Sequence, residues 1–377
     1  MMKKVWVYLI LLSISLLEAG SLSDALSGTK VDGYIRATYQ EHNIKNNKLY
    51  KDDALGGKVH IETSPFYGFS LGTSLYSSNA LLNNDNSFLS TLRGESEKSY
   101  TLLGEGYIQA QFGKNLIKIG RQELDTPFAD RDDVGMIPNT FEAGVLINKD
   151  LENTTIFLAQ IRKMAGSGAE VINEFRKLNN NDYVNLLGVT YGTEEGLNIS
   201  AWYYSLKNAE VEKIFYTEAM YAENVAGLFY EIELQYAKEK YSVGEDAVIK
   251  GGSFALLDRG LRLSTAYTKV TGNQAFSGFG GGPFVSNAEF LIIDNAGADA
   301  KAIRYGAEWQ SSKNLTFGIS KVSLTTEDNK EATEMDLLVH YSISENMEMH
   351  LIYSKIDTSI VGENDAKHLR IFANYNF

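Results

Sequence analysis

The feature that most constrains this chain is an alternation of apolar and polar side chains with a period of two, repeated in segments of about ten residues. In the segment 31–40, Val31, Ile35 and Tyr39 fall on one face and Arg36 falls on the other. A β-strand with one apolar and one polar face has this pattern. A tilted strand needs about 9–11 residues to cross a bilayer, whereas ordinary strands average about five or six. The pattern therefore favours membrane-spanning strands.

A sheet that crosses hydrocarbon has no free edge, because each unpaired backbone N–H or C=O group costs several kcal/mol there. Its apolar face contacts lipid, and its polar face lines a water-filled lumen when there are about sixteen to eighteen strands. We predict an all-β fold, a transmembrane antiparallel β-barrel of eighteen strands, with sixteen as the alternative. The predicted strands are 31–40, 55–63, 67–77, 101–112, 115–121, 142–149, 153–162, 183–192, 197–206, 211–221, 226–238, 247–257, 260–269, 301–310, 313–323, 333–343, 346–356 and 367–377.

The predicted connections alternate in length. Turns such as 113–114 are short, whereas 41–54, 122–141 and 270–300 are long, and we expect the glycine-rich 270–300 to be a flexible loop. Outer-membrane barrels have short periplasmic turns and longer extracellular loops. An even number of strands then places both termini in the periplasm. The region 205–226 leaves the strand number open, because both of its connections are short.

The first nineteen residues have the pattern of a secretory signal peptide. Lys3 and Lys4 precede an apolar run that is too short to span a bilayer, and a small residue, Ala19, marks the expected cleavage site. We therefore assign 1–19 to a signal peptide and 20–377 to a single outer-membrane barrel domain. Cleavage removes Lys3 and Lys4 together with Glu18, so that the formal net charge changes from −13 to −14.

The composition argues against several functional classes. The acidic net charge makes nucleic-acid binding improbable. The chain has no cysteine, so that no disulfide can support an exported fold. The five histidines are scattered, and no Gly-x-Ser-x-Gly or His-Glu-x-x-His motif is present. We accordingly expect no enzyme activity, no metal site and no cofactor.

The long connection after the fifth strand carries two of the four prolines of the chain, Pro127 and Pro138, and many charges. Proline restricts φ and stiffens a loop. We predict that this segment, about 122–141, folds into the bore and narrows it; a solvated surface loop is the alternative. Arg121 is one residue out of phase with Lys118, so that a strand end or a bulge would have to turn it inward. The predicted constriction residues are Arg121, Glu123, Asp125, Asp130, Arg131, Asp132, Asp133 and Glu142.

Cations recur on the polar face of the predicted strands and are candidates for a basic track along the lumen. Acidic residues such as Glu231 and Glu308 share that face, so that structural salt bridges between neighbouring strands explain the cations equally well. The candidate basic residues of the wall are Arg36, Lys58, Lys118, Arg262, Arg304 and Arg370.

The segment 120–142 contains the stretches Gly120-Arg121-Gln122, Leu124-Asp125-Thr126-Pro127 and Ile137-Pro138-Asn139-Thr140-Phe141-Glu142. Together they resemble the hallmark segment of the OprD-type porins, which are substrate-selective outer-membrane channels of Gram-negative bacteria. The resemblance implies a passive channel with an inward-folded third loop, an acidic lining on that loop and basic residues on the wall. It implies substrates that are small, water-soluble and carry a carboxylate, such as amino acids and aromatic acids. It assigns constriction or loop-anchoring roles to Arg121, Asp125, Arg131 and Glu142.

The C-terminal strand ends on Phe377, which resembles the signal read by the barrel-assembly machinery. The expected partners are that machinery, outer-membrane lipids and small hydrophilic solutes. Ion preference stays open, as does the choice between a single barrel and a homotrimer. Two alternatives to a channel remain at this point: a secreted soluble all-β adhesin or binding protein, and a non-conducting structural barrel.

Overall fold

The computed structural model describes residues 21–46, 49–82, 92, 94, 99–178, 182–193, 196–360 and 364–377. The predicted signal peptide, residues 1–19, lies outside this part of the chain. Within these ranges, no helix is both long enough and apolar enough to cross a membrane.

Eighteen long strands form the wall in the described residues, each antiparallel to its neighbours in sequence. The last strand pairs with the first, with Tyr375 opposite Ile35, so that the sheet closes into a barrel. The prediction of eighteen strands is confirmed, and sixteen is wrong. The strands are β1 (Lys30–Ile44), β2 (Leu49–Glu62), β3 (Phe69–Ala80), β4 (Tyr100–Phe112), β5 (Asn115–Gln122), β6 (Thr140–Asn148), β7 (Thr154–Ala165), β8 (Val184–Tyr191), β9 (Gly196–Leu206), β10 (Val211–Val225), β11 (Leu228–Tyr241), β12 (Ala247–Asp258), β13 (Leu261–Gly272), β14 (Lys301–Ser312), β15 (Leu315–Thr325), β16 (Glu331–Ser342), β17 (Met347–Thr358) and β18 (Ala366–Asn376).

The two faces of the wall differ as the alternation predicts. The outer face exposes large apolar side chains such as Ile35, Leu234 and Leu337, which a soluble protein would bury. The inner face holds buried polar side chains such as Arg36 and Asp336. A wall that is apolar outside and polar inside suits a lipid surround and an aqueous lumen.

The strand ends correct one predicted loop. We expected a long connection over 41–54, but β1 and β2 continue into it and leave only 45–48 between them. Glu41 lies opposite Lys51 in the register, and their side chains form an ion pair of 3.0 Å. Favourable cross-strand pairs of this kind stabilise the added length of the two strands. At the other end of β1, a short helix, α1 (Leu22–Ser27), precedes the barrel.

Two long connections pack against each other and against the inner wall. The third loop, 123–139, contains the two-residue strands Asp125–Thr126 and Ala129–Asp130, which form a small hairpin. The connection 273–300 between β13 and β14 contains a 3-10 helix, Ile293–Ala296. Both connections contribute to one apolar cluster with the wall. The glycine-rich 270–300 segment is therefore packed, in contrast to the free loop expected from its composition.

Leu337 and Leu338 provide a test of the two faces. Leu337 is exposed on the outer face in the middle of β16, whereas Leu338 lines an inner cavity together with Arg262. We expect Leu337→Arg to lower the free energy of unfolding by about 2–4 kcal/mol, because arginine near the bilayer midplane is poorly solvated. We expect Leu338→Arg to change it by about 1 kcal/mol or less, because water reaches that side chain. Denaturant titration of both variants in lipid vesicles measures the difference, and equal losses would contradict the assignment of the faces.

Candidate functional site

The tip of the third loop is anchored on the side of the barrel formed by β9 and β10. Phe128, at this tip, is 1% exposed. Its ring packs edge-on against Tyr204 at 5.4 Å and Tyr216 at 5.6 Å between centroids. The backbone N–H of Phe128 also donates to the Tyr204 hydroxyl at 3.2 Å. Both tyrosines lie on the inner face of the wall, so the loop contacts that face.

The distal part of the same loop is held on the other side, by β1 and β18. Arg36 donates from both terminal nitrogens to the carboxylate of Asp133, at 2.7 and 2.8 Å. Its Nη1 also donates to the Gly135 carbonyl at 2.7 Å, and its Nε donates to Asn374 Oδ1 at 2.8 Å. The Arg36 side chain is only 8% exposed. A bidentate pair of this kind defines the position of the loop as well as stabilising it.

The beginning of the loop is held by β2 and β3. Glu123 Oε1 accepts hydrogen bonds from Lys58 Nζ at 2.7 Å and from the Tyr76 hydroxyl at 2.8 Å. Lys58 Nζ is also 2.9 Å from Glu105 Oε2. Lys58 thus lies between two carboxylates, one from the loop and one from the wall.

The connection 273–300 supports the third loop from the adjacent side. Phe279 N–H donates to the Phe128 carbonyl at 2.9 Å, and Asp130 N–H donates to the Phe279 carbonyl at 3.2 Å. Gly278 has a φ of +82°, and a Cβ there would lie 2.4 Å from the Phe128 carbonyl oxygen. Glycine is needed at this position because the two backbones approach so closely.

Two wall cations hold the connection 273–300 in place. Arg304 Nη1 donates to the Asn287 carbonyl at 2.9 Å. Arg370 Nη2 donates to Glu289 Oε2 at 2.7 Å, and its guanidinium lies 4.5 Å from the centre of the Phe290 ring. These cations act as ties between wall and loop in the structure.

The acidic side chains of the third loop lie in different surroundings. Burial raises the pKa of Asp130, and repulsion from Asp125 raises it further. Burial likewise raises the pKa of Asp132, and repulsion from Asp130 adds to the effect. Both carboxyls therefore take up a proton at a higher pH than an ordinary aspartate.

Arg131 is the exposed cation of the loop. Its side chain is 59% exposed, and its Nη1 is 3.8 Å from Glu123 Oε2, which is longer than a hydrogen bond. It borders a cavity of about 570 Å³ beneath the loop. The residues that line this cavity are Asp32, Gly33, Tyr34, Arg36, Lys58, Glu123, Arg131, Asp133, Pro138, Glu348, Asn374, Asn376 and Phe377.

Comparison with known protein families gives a match over residues 61–323 to the outer membrane porins of the OprD family. The matched region covers more than two thirds of the chain. The chain belongs to the OprD family of outer membrane porins. It is accordingly an outer-membrane barrel through which small solutes diffuse passively, and porins are channels rather than enzymes.

Solved structures support the fold of this porin. It resembles OpdK of Pseudomonas aeruginosa, determined with vanillate, with a TM-score of 0.82 and 15% identity over 93% of this chain and 99% of that one. It also resembles a BenF-like porin from Pseudomonas fluorescens Pf-5, with a TM-score of 0.79 and 14% identity over 93% of this chain and 99% of that one. For OccAB4 of Acinetobacter baumannii the TM-score is 0.79 and the identity is 13%, over 93% of this chain and 98% of that one. At these identities the likeness concerns the fold. No curated protein sequence matches the chain.

The structure brings together many of the predicted site residues. The cavity beneath the loop is lined by wall cations from β1 and β2 and by charges from the third loop, and the other candidate wall cations lie elsewhere on the inner wall. Lys118 Nζ lies 3.6 Å above the Tyr107 ring, and Arg262 Nη2 pairs with Glu231 at 2.8 Å. The role of each residue in permeation stays a prediction. The predicted residues that line the cavity are Arg36, Lys58, Glu123, Arg131 and Asp133.

Arg121 and Glu142 do not have the expected orientation. The ladder of β5 is regular at Arg121, without the bulge that would turn it inward. Arg121 therefore shares the outer face with Ile119, where it donates to the Leu103 carbonyl and lies over Phe175. Glu142 is opposite Arg121 in the register and is 3.4 Å from both Arg162 and Lys163. The structure corrects their assignment as lining residues; anchoring of a neighbouring loop stays a prediction.

Several residues that position the loop were not identified from the sequence. Tyr76, Tyr204 and Tyr216 fall on the inner face of their strands, where we expected polar side chains rather than large buried aromatics. Their positions in the alternating pattern could have identified them, because a large aromatic ring on the lumenal face of a strand needs an apolar partner inside the barrel. Phe128 on the third loop supplies that partner for two of them.

Asp133→Asn tests the tie between the third loop and β1. The substitution leaves the buried Arg36 guanidinium without its anionic partner, although Asn374 and the Gly135 carbonyl still accept from it. We expect a loss of about 1–3 kcal/mol in the free energy of unfolding. We also expect larger fluctuations of the open-channel current, because the loop is less firmly held. Asp125→Asn is the matched control, since Asp125 is exposed, and a similar effect of both variants would contradict the tie.

Proposed function

We propose that this porin is a selective channel for small solutes that carry a carboxylate, with the third loop as its constriction. The observation that carries the proposal is the exposed guanidinium of Arg131 at the edge of the cavity beneath the loop. Guanidinium binds a carboxylate through two parallel hydrogen bonds, and this geometry selects carboxylates over neutral groups of similar size.

Comparison with the other cations of the cavity supports Arg131 as the residue that binds the solute carboxylate. Arg36 and Lys58 each already form an ion pair of 2.7 Å with a carboxylate of the loop. Arg131, in contrast, has its nearest carboxylate at 3.8 Å. A solute carboxylate can thus engage Arg131 without first displacing a short ion pair, so that binding is weak enough to allow release.

The acids that border the same cavity suit solutes with a second, positive group. Asp32 and Glu348 line the cavity in addition to the loop acids. An amino acid could place its carboxylate at Arg131 and its ammonium group near these carboxylates. Vanillate, named with the OpdK structure, is a carboxylate of another kind and fits the same class of solute.

The outer-membrane position of the barrel also bears on its assembly. We propose that the C-terminal strand, ending on Phe377, is the segment read by the barrel-assembly machinery. Phe377 forms two backbone hydrogen bonds of 3.0 Å with Gly33 of β1, and its side chain is exposed. The residue that would be recognised therefore lies at the seam where the barrel closes.

Arg131→Gln tests the solute class. We expect the permeation of benzoate to fall several-fold, because the bidentate partner of its carboxylate is lost. We expect the permeation of benzamide, which has the same size and no charge, to change little. Swelling of proteoliposomes loaded with an impermeant solute measures both rates.

Arg259→Gln is the control for this experiment, since Arg259 lies in the turn between β12 and β13 with a side chain that is 91% exposed. It removes the same charge at a distance from the cavity. A ratio of benzoate to benzamide permeation that is equal in all three proteins would overturn the proposal.

The pH dependence of ion preference tests whether Asp130 and Asp132 line the conducting path. Their pKa values are raised by burial, so that they lose charge before ordinary aspartates as the pH falls. We expect the reversal potential in a salt gradient to move towards anions between about pH 7 and pH 5. At pH 7 the reversal potential of the variant D130N/D132N should already be shifted towards anions, and it should change less as the pH falls.

The variant D258N/D328N is the control, because both of these carboxylates are exposed outside the third loop. It removes two negative charges, as the test variant does. If D130N/D132N has the same reversal potential as the wild type at both pH values, the two aspartates do not line the path.

A further inference from the structure

A cluster of two histidines and a glutamate lies on the inner wall, and the channel function leaves it unexplained. The register of β16 and β17 places His340 directly opposite His350, and Glu348 is two residues away on the same face. Glu348 Oε2 is 3.4 Å from His340 Nε2 and 3.5 Å from His350 Nε2. Each of the three side chains offers one atom that can bind a metal ion, and these three atoms all lie within 4.8 Å of one another. In the described part of the chain, no other group of three His, Cys, Asp or Glu side chains has this property.

One nitrogen of the cluster lacks a hydrogen-bond partner from the protein. His340 Nε2 is shielded from solvent and makes no hydrogen bond to any described residue, although Glu348 Oε2 is near. The two imidazole rings are stacked, with centroids 4.4 Å apart and planes 11° apart. A buried polar atom without a partner is unusual and calls for a ligand or another explanation.

Glu348 is held in position from behind. Asn374 Nδ2 donates to Glu348 Oε1 at 3.3 Å, and Asn374 Oδ1 accepts from Arg36 Nε at 2.8 Å. One carboxylate oxygen is therefore occupied by the wall, and the other faces the two imidazoles. Supporting hydrogen bonds of this kind orient the ligands of metal sites.

We propose that His340, Glu348 and His350 form a binding site for a divalent transition-metal ion of the zinc class on the wall of the pore. Two imidazoles and one carboxylate are a donor set that zinc binds, with a fourth position left for water. Metal–nitrogen bonds of about 2.0–2.1 Å require the rings to turn from their stacked arrangement. This movement is a rotation about χ2, which is a soft torsion for histidine.

The position of the cluster gives the site a consequence for permeation. Glu348 also lines the cavity beneath the third loop, close to Arg36. An ion bound there adds two positive charges at the wall and offsets the negative charge of the Glu348 carboxylate. The metal site therefore reduces cation flux when it is filled, a property that does not depend on the solute class proposed above.

A second histidine pair serves as an internal comparison. His42 and His368 are also opposite each other, on β1 and β18, with ring centroids 4.5 Å apart. Their rings are edge-on, and Phe290 stacks on His368 at 4.0 Å. His42 Nε2 and His368 Nδ1 are also buried without a hydrogen-bond partner, but among the described residues no carboxylate completes a close group of three with this pair.

Isothermal titration of the folded, detergent-solubilised porin with Zn²⁺ tests the proposal directly, and it does not require the channel to conduct. We expect one saturable site in the wild type. His350→Asn should remove it, and Asn374→Ala should weaken it by about tenfold to a hundredfold, as for other supporting residues of metal sites. The variant H42N/H368N should bind as the wild type does. Circular dichroism and thermal melting establish that each variant is folded.

Planar-bilayer recording gives a second reading of the same site. We expect Zn²⁺ to lower the cation current of the wild type and of H42N/H368N, and a chelator to restore it. His340→Asn should not respond. The proposal is overturned if the wild type shows no saturable Zn²⁺ binding, or if folded His340→Asn and His350→Asn variants bind as tightly as the wild type.

Discussion

The structure depends on the absence of hydrogen-bonding partners for the backbone in hydrocarbon. Every N–H and C=O group in the spanning region needs a partner from a neighbouring strand, so the sheet has to close. Closure through β1 and β18 leaves apolar side chains outside and polar ones inside. Everything in the lumen then follows from the need to organise polar groups in a bore too wide to be filled by the wall.

The lumen is organised by charges that join wall and loop. Arg370, Arg36 and Lys58 come from the three adjacent strands β18, β1 and β2, and Arg304 comes from β14. Each holds one of two long connections. Pairing partly buried charges is costly unless the geometry is good, and these contacts are short and directional. Four of the cations that we considered as a track for solutes thus tie the wall to the loops, and their role in permeation stays a prediction.

A feature was predictable from the sequence when it depends only on residues that are close together in the chain. The faces of Ile35 and Arg36 were predictable because side-chain phase is a local property of a strand. The orientation of Arg121 was not, since it depends on whether the ladder has a bulge. The pairing of His340 with His350 depends on hairpin register, and an error of one residue there moves a side chain to the opposite face.

The sequence by itself determined a closed barrel, with eighteen strands favoured over sixteen, its lipid-facing and lumen-facing sides, and the loop that carries the charges of the site. These properties follow from alternation, segment length and local composition. Only the tertiary structure decided which charges meet, how the 273–300 connection packs on Phe128, and that two histidines share Glu348. The reason is physical: these contacts join residues far apart in sequence, and their geometry is set by closure of the sheet.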